Sequence, residues 1–238
     1  MRSFRLPSGS ARGAQPVPHA VSLADTPVRM AFLRKVYSLF SLAILTFFGT
    51  MAWGVNQPWV MDLFGSIGFI GFIAFFAGIF FLARVTASKF PLNLIGLAAF
   101  AVGYGLFMSP FVGMVLHQNG PGVILQAFML TVAVFGSLTA YVFITKKDFS
   151  WMRGALWMAF ALMFGLAILS MFGIGGGLVS GWGYSAAMVV LMGGFALYDT
   201  SRILHRYPAN MAASAALAIF MDFILMFVHI LSLLSRRD

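Results

Sequence analysis

Asp199 and Asp222 are the residues of this chain best suited to chemistry. All six of its acidic residues are aspartates, and these two lie inside long apolar stretches. An ionisable group in a bilayer costs roughly 2.5–3.5 kcal/mol on insertion scales, so it marks a functional site and calls for a partner. With a rise of about 1.5 Å per residue, Asp199 lies about 9 Å inside the end of its stretch at His205, and Asp222 about 14 Å inside the next stretch from Ala213. The two carboxylates can therefore meet at similar depth. At hydrogen-bonding range, desolvation and mutual repulsion disfavour double ionisation, so the pair holds one proton over some pH interval and titrates as a unit. A doubly ionised pair repels itself unless a cation arrives, which makes Asp199 and Asp222 candidate oxygen ligands for a transient, passing cation. The bland alternative is a pair of hydrogen-bonded acids that only fix helix packing.

Three cationic or protonatable neighbours bear on this pair. Arg84, at the end of the second apolar stretch, is the expected latch counter-charge. Arg202 shares a helical face with Asp199 but sits close to the interface, where snorkelling to headgroups is the expected fate. His229 lies almost two turns beyond Asp222 on the same side, either extending a polar path or simply packed. Tyr198 adjoins Asp199 and completes the accessory set.

These residues need helices in a membrane to hold them. With 61% hydrophobic and 9% charged residues, the chain is far from the roughly 25% charged fraction of a soluble domain. Seven runs of about 20 apolar residues, the length needed to cross about 30 Å of hydrocarbon, span approximately 36–55, 64–83, 92–116, 123–145, 155–174, 185–205 and 213–234. Turn residues separate most of them, including Asn119-Gly120-Pro121-Gly122 and Tyr207-Pro208-Ala209-Asn210. The expected fold is an all-α seven-helix transmembrane domain over 31–238, preceded by a disordered basic tail over 1–30.

Lysines and arginines cluster before the first run and after the second, fourth and sixth; loops 56–63, 117–122 and 175–184 carry none. The N-terminus should thus be cytoplasmic. Arg236 and Arg237 would then lie outside, against the rule, unless the last segment re-enters. A full span is favoured because 22 largely apolar residues suffice to cross. The net charge of +9 is accounted for by this bias and by attraction to anionic headgroups, with no need for nucleic acid. The absence of cysteine excludes disulfides and thiolate metal sites. His19, His117, His205 and His229 show no ligand spacing, and no phosphate loop, dinucleotide fingerprint or nucleophile elbow occurs. No resident cofactor and no enzymatic activity are expected. The lack of glutamate and cysteine and the clean charge bias point to a bacterial inner (plasma) membrane.

The stretch from Phe195 through Tyr198-Asp199-Thr200-Ser201-Arg202 to Ile203, followed 23 residues later by Asp222 within Ile219 to Leu231, resembles the paired motif helices of the Bax inhibitor-1 family. Gly105-Leu106-Phe107-Met108-Ser109-Pro110 resembles a further family motif. The resemblance implies a seven-helix bundle with the last helix central. It also implies a di-aspartyl pH sensor, here Asp199 and Asp222 latched by Arg84, that gates a calcium leak in bacterial members. Family members are further linked to suppression of cell death and to modulation of a membrane protease. Ser201, Leu225 and Ser232 depart from the usual glutamine, asparagine and arginine, and the tail lies outside the pattern.

Three functions are therefore weighed. The first is a pH-sensitive leak for calcium, or protons, gated by the aspartates. The second is a non-enzymatic regulator that binds a membrane protease, a translocon component or another membrane protein. The third, remote, is an intramembrane aspartyl protease, since two carboxylates sharing a proton are the device of aspartic proteases; the Gly-x-Gly-Asp and Pro-Ala-Leu elements of such enzymes are missing around and after Asp222.

Overall fold

The computed structural model describes residues 22, 25–66, 77–78, 81 and 91–236. Eight α-helices are found there: α1 Thr26–Gly54, α2 Pro58–Ser66, α3 Leu92–Asn119, α4 Pro121–Thr145, α5 Arg153–Met171, the single turn α6 Gly176–Val179, α7 Trp182–His205 and α8 Ala212–Leu234. Six of them are long and apolar enough to cross a membrane, α5 together with the 3-10 turn Ser150–Met152 that leads into it. They coincide with six of the seven expected spans. The second span, 64–83, and Arg84 fall largely outside the described residues. The chain is a multi-pass α-helical membrane protein.

Local chemistry sets the helix limits. α1 starts ten residues before its expected span, inside the stretch read as tail, because Pro27 in its first turn suits a helix start and the helix continues beyond the hydrocarbon. A single residue, Gly120, joins α3 to α4; its φ of +78° gives the reversal, and Pro121 opens the next helix. α8 has 23 residues, about 34 Å at helical rise, enough for a full crossing. Its far end is held by the α3–α4 turn and the segment between α6 and α7: Arg236 donates to the Ser180 carbonyl, and the Asn119 amide donates to the Ser235 carbonyl at 3.2 Å. The last helix therefore runs the length of the bundle.

In lipid, apolar surface alone does not drive helices together, so packing and close backbone approach must do so. α8 touches α1, α3, α4 and α7. Phe220, Phe223 and Phe227 form one stripe on it, and they meet Phe47, Phe40 and Phe48 of α1 edge to face, at centroid separations of 6.1, 5.8 and 5.0 Å. α1 and α3 close on each other at Gly105, where an added Cβ would lie 2.1 Å from Thr50 Oγ1 and 2.6 Å from the Phe47 carbonyl oxygen. One turn on, the Ser109 hydroxyl reaches across to the Met51 carbonyl at 3.2 Å. The Gly105 to Pro110 segment is thus the seam of the α1–α3 contact. Trp53 and Trp59 pack together near one end of the bundle, and Trp151 and Trp182 are exposed at helix starts, in keeping with interfacial tryptophans.

Candidate functional site

The C-terminal third of α7 builds the site. Tyr198, Asp199, Thr200 and Ser201 are all buried, and four consecutive helical residues, turned 100° from one to the next, cannot share one face. This part of α7 is enclosed on every side, by α8, α4, α5 and the Ser150–Met152 turn. Asp199 therefore sits inside protein, as an intramembrane acid must. Asp222 lies in the buried middle of α8 among Ile219, Phe220, Phe223 and Met226, and its Oδ2 has no hydrogen-bond partner among the described residues. The two aspartates thus lie on adjoining helices, Asp199 bonded to Arg202 and Asp222 offering an unsatisfied oxygen.

Arg202 departs from its expected course. Instead of extending to the headgroups, its Nη1 donates to Asp199 Oδ1 at 2.8 Å, and its side chain keeps 36% exposure while that of Asp199 keeps 10%. Two rings explain the geometry: the guanidinium lies 5.3 Å from the Tyr198 centroid and 4.9 Å from that of Tyr207. A planar, weakly hydrated cation gains from such faces, and the i,i+3 spacing carries it back onto Asp199. Tyr207 itself is buried in the turn between α7 and α8. Burial, opposed by Arg202 and reinforced by Asp199 and Asp222, pushes its phenol up to about 12, so it stays neutral as a stacking partner. Tyr207 was not singled out from sequence; its place directly after the Arg202 to Arg206 helix end is the signal that would have found it.

A second polar group, also unforeseen, joins the loop after α4 to the end of α7. Arg206 donates to Asp148 Oδ2 at 2.9 Å and to the Ser150 hydroxyl at 2.6 Å, while the Ser201 hydroxyl accepts the Phe149 N–H at 2.9 Å. Ser201, a departure from the usual glutamine, thus fastens the loop. Partial burial works against the charge on Asp148, but the Arg206 and Ser150 bonds outweigh it and hold the carboxyl below the usual range. The loop turns through Lys146, whose φ of +51° ends α4 in a left-handed cap. Ser22 adds a bond to the His205 carbonyl at 2.8 Å, tying the start of the described chain to the same helix end.

The remaining expected residues are dispersed. His229 stacks edge on against Tyr184 at 5.8 Å between α8 and α7, the packed-histidine alternative. Arg84 lies outside the described residues. Among the described residues no three of His, Cys, Asp and Glu gather into a metal-holding group.

Comparison with known proteins agrees with this architecture. The family model described as "Inhibitor of apoptosis-promoting Bax1" matches residues 29–238. The chain is 31% identical over 232 residues to the Golgi anti-apoptotic protein of Vaccinia virus, covering 91% of this chain and 90% of the relative. It is 30% identical to protein lifeguard 4 of Mus musculus over 232 residues, 90% and 89% of the two chains. A membrane protein of Vibrio cholerae is 30% identical over 219 residues, 90% and 93% of the two. Relatives thus come from a virus, an animal and a bacterium, and the likeness assigns no source. A match over nearly the whole chain, including both aspartate helices, leads to one conclusion: this chain belongs to the Bax inhibitor-1 family of membrane proteins.

Proposed function

We propose that this protein is a pH-sensitive cation leak, with calcium as principal cargo and protons as its regulator, gated by Asp199 and Asp222. One observation carries the reading: two buried aspartates lie on adjoining helices, one bonded to Arg202 and the other with a carboxylate oxygen that has no partner among the described residues. Arg202 compensates Asp199, leaving Asp222 Oδ2 as the oxygen that takes a proton or a passing cation. A proton there neutralises the pair and favours close packing of α7 against α8. Its loss leaves two oxygen ligands at one depth and a repulsion that a divalent cation relieves. In this reading the last helix is the central element of a seven-helix bundle, because α8 touches four others. Arg84 serves as a second latch from the second span, and the N-terminus is cytoplasmic in a bacterial inner membrane. The family's link to calcium homeostasis supports the cargo. No bond-making step is invoked, and the protein works without enzymatic activity.

The test is calcium flux into proteoliposomes at pH 6 and pH 8. Wild type should conduct in a pH-dependent manner, Asp199→Asn and Asp222→Asn should lose that dependence, and Arg202→Ala and Arg84→Ala should shift it. Flux equal to that of empty liposomes at both pH values, with folded protein, refutes the leak. The second reading, a regulator that acts by binding a membrane protease or another membrane protein, is favoured by the likeness to the Golgi anti-apoptotic protein of Vaccinia virus. It predicts a phenotype that survives loss of flux and disappears with residues 1–21.

A further inference from the structure

A narrow cavity of about 250 Å³ opens on the flank of the bundle between α1 and α4. Tyr37 and Phe40 line it from α1, Phe128, Gly136 and Thr139 from α4, and Phe223 of α8 closes its floor. Val132 on its rim is 43% exposed and Gly136 is also open, so the mouth faces outward from a span and therefore toward hydrocarbon. Along α4 the slot extends from Phe128 to Thr139, about 16 Å at helical rise, in the middle of the helix, so it crosses the depth at which acyl chains of the two leaflets meet. That volume, spread over that length, is far less than a helix fills. A helix, about 10–12 Å in diameter with its side chains, does not enter such a slot; a single hydrocarbon chain does.

The chemistry at one end says which chain. Arg34 lies one turn before Tyr37 on α1, and Lys146 and Lys147 lie two turns beyond Thr139 at the end of α4; all three are exposed. Three cations beyond the Tyr37 and Thr139 end of the apolar slot complement an anionic headgroup. At that end of the slot, the buried Thr139 hydroxyl has no hydrogen-bond partner among the described residues.

We propose that the α1–α4 crevice is a binding site for one anionic phospholipid, its acyl chain in the slot against Phe223 and its phosphate on Arg34, Lys146 and Lys147. The occupant's acyl chain then touches α8 one residue from Asp222, so lipid occupancy bears on the packing of the part of α8 that holds the second aspartate. The site stands on packing and charge alone and does not depend on the leak reading.

Native mass spectrometry of the full chain, released from detergent with equal amounts of phosphatidylglycerol and phosphatidylcholine of the same acyl chains, tests it. Wild type should retain one phosphatidylglycerol at least tenfold more than phosphatidylcholine. Gly136→Leu fills the slot without a clash, since nothing lies within 4 Å of a Cβ there; it should lose that adduct at least tenfold. Val132→Phe, on the rim, should do the same, and serves if the first variant fails to fold. Ala161→Leu, on the exposed side of α5, should change nothing. The triple variant Arg34→Gln, Lys146→Gln, Lys147→Gln should bind the two lipids equally. Equal retention of both lipids by wild type, or plug variants that keep the adduct, overturns the proposal. So does a wild-type dimer that Gly136→Leu abolishes, which gives the crevice to a second copy of the chain.

Discussion

Replacing Arg202 with methionine removes a charge while keeping most of the apolar stem, and the structure sets the size of the effect. At an effective dielectric of about 20, unit charges about 4 Å apart attract by about 4 kcal/mol. The guanidinium is 36% exposed, however, so the pair falls between exposed bridges worth about 0–1 kcal/mol and buried ones whose disruption costs about 3–5 kcal/mol. About 2 kcal/mol is the working value. The faces of Tyr198 and Tyr207 add about 0.5 kcal/mol each, so Arg202→Met should cost about 3 kcal/mol and Asp199→Asn about 2 kcal/mol. At about 2–4 °C per kcal/mol for a chain of this size, Tm in micelles at fixed pH falls by about 6–12 °C for the arginine variant. Because both substitutions break the same bond, the double variant should cost about 3 kcal/mol, a coupling energy of about 2 kcal/mol. Arg202→Lys, which keeps the charge but not the planar fork, should fall between. Additivity within about 0.5 kcal/mol, the range seen for independent sites, would refute the ion pair and return Arg202 to the headgroups.

Gly105→Val should lower Tm by several degrees, through overpacking of about 1–3 kcal/mol, because the new side chain meets Thr50 and the Phe47 carbonyl; Gly49→Ala, with open space around its Cβ, should be neutral or slightly stabilising, and equal melting of the two would remove the α1–α3 seam. The Asp148 clasp makes a signed pH prediction. Its carboxyl is depressed in the folded protein, so its contribution is complete above the unfolded value of about 4 and is lost as pH falls through the folded value. Thermal melts of wild type and Asp148→Asn should therefore differ by under about 1 kcal/mol at neutral pH, as expected for a half-open pair, and converge in acid. A gap that widens in acid contradicts the clasp.

Six of the seven expected spans and the positions of the two aspartates along their helices were legible in the amino-acid order, because hydropathy, turn residues and helical rise are one-dimensional properties. A run such as 213–234 must satisfy its backbone as a helix in lipid whatever surrounds it, and counting 1.5 Å steps places Asp222 along it. The likeness of 195–203 and 219–231 to one family was legible for the same reason: the motif is a spacing. Which cation compensates Asp199 was not. Arg202 has one sequence position but two places to go, and its choice depends on Tyr207, which reaches it only because the turn after α7 folds back. The fastening of the Asp148 loop by Arg206 and Ser201 joins residues more than fifty positions apart, and Ser201 read alone was merely an unusual substitution. The crevice over Phe223 exists because α1 and α4 diverge beside α8, and no single helix encodes a gap between two others. Composition and period determine what each segment is; only the packing of segments decides what each polar side chain touches, since that contact is a property of three dimensions.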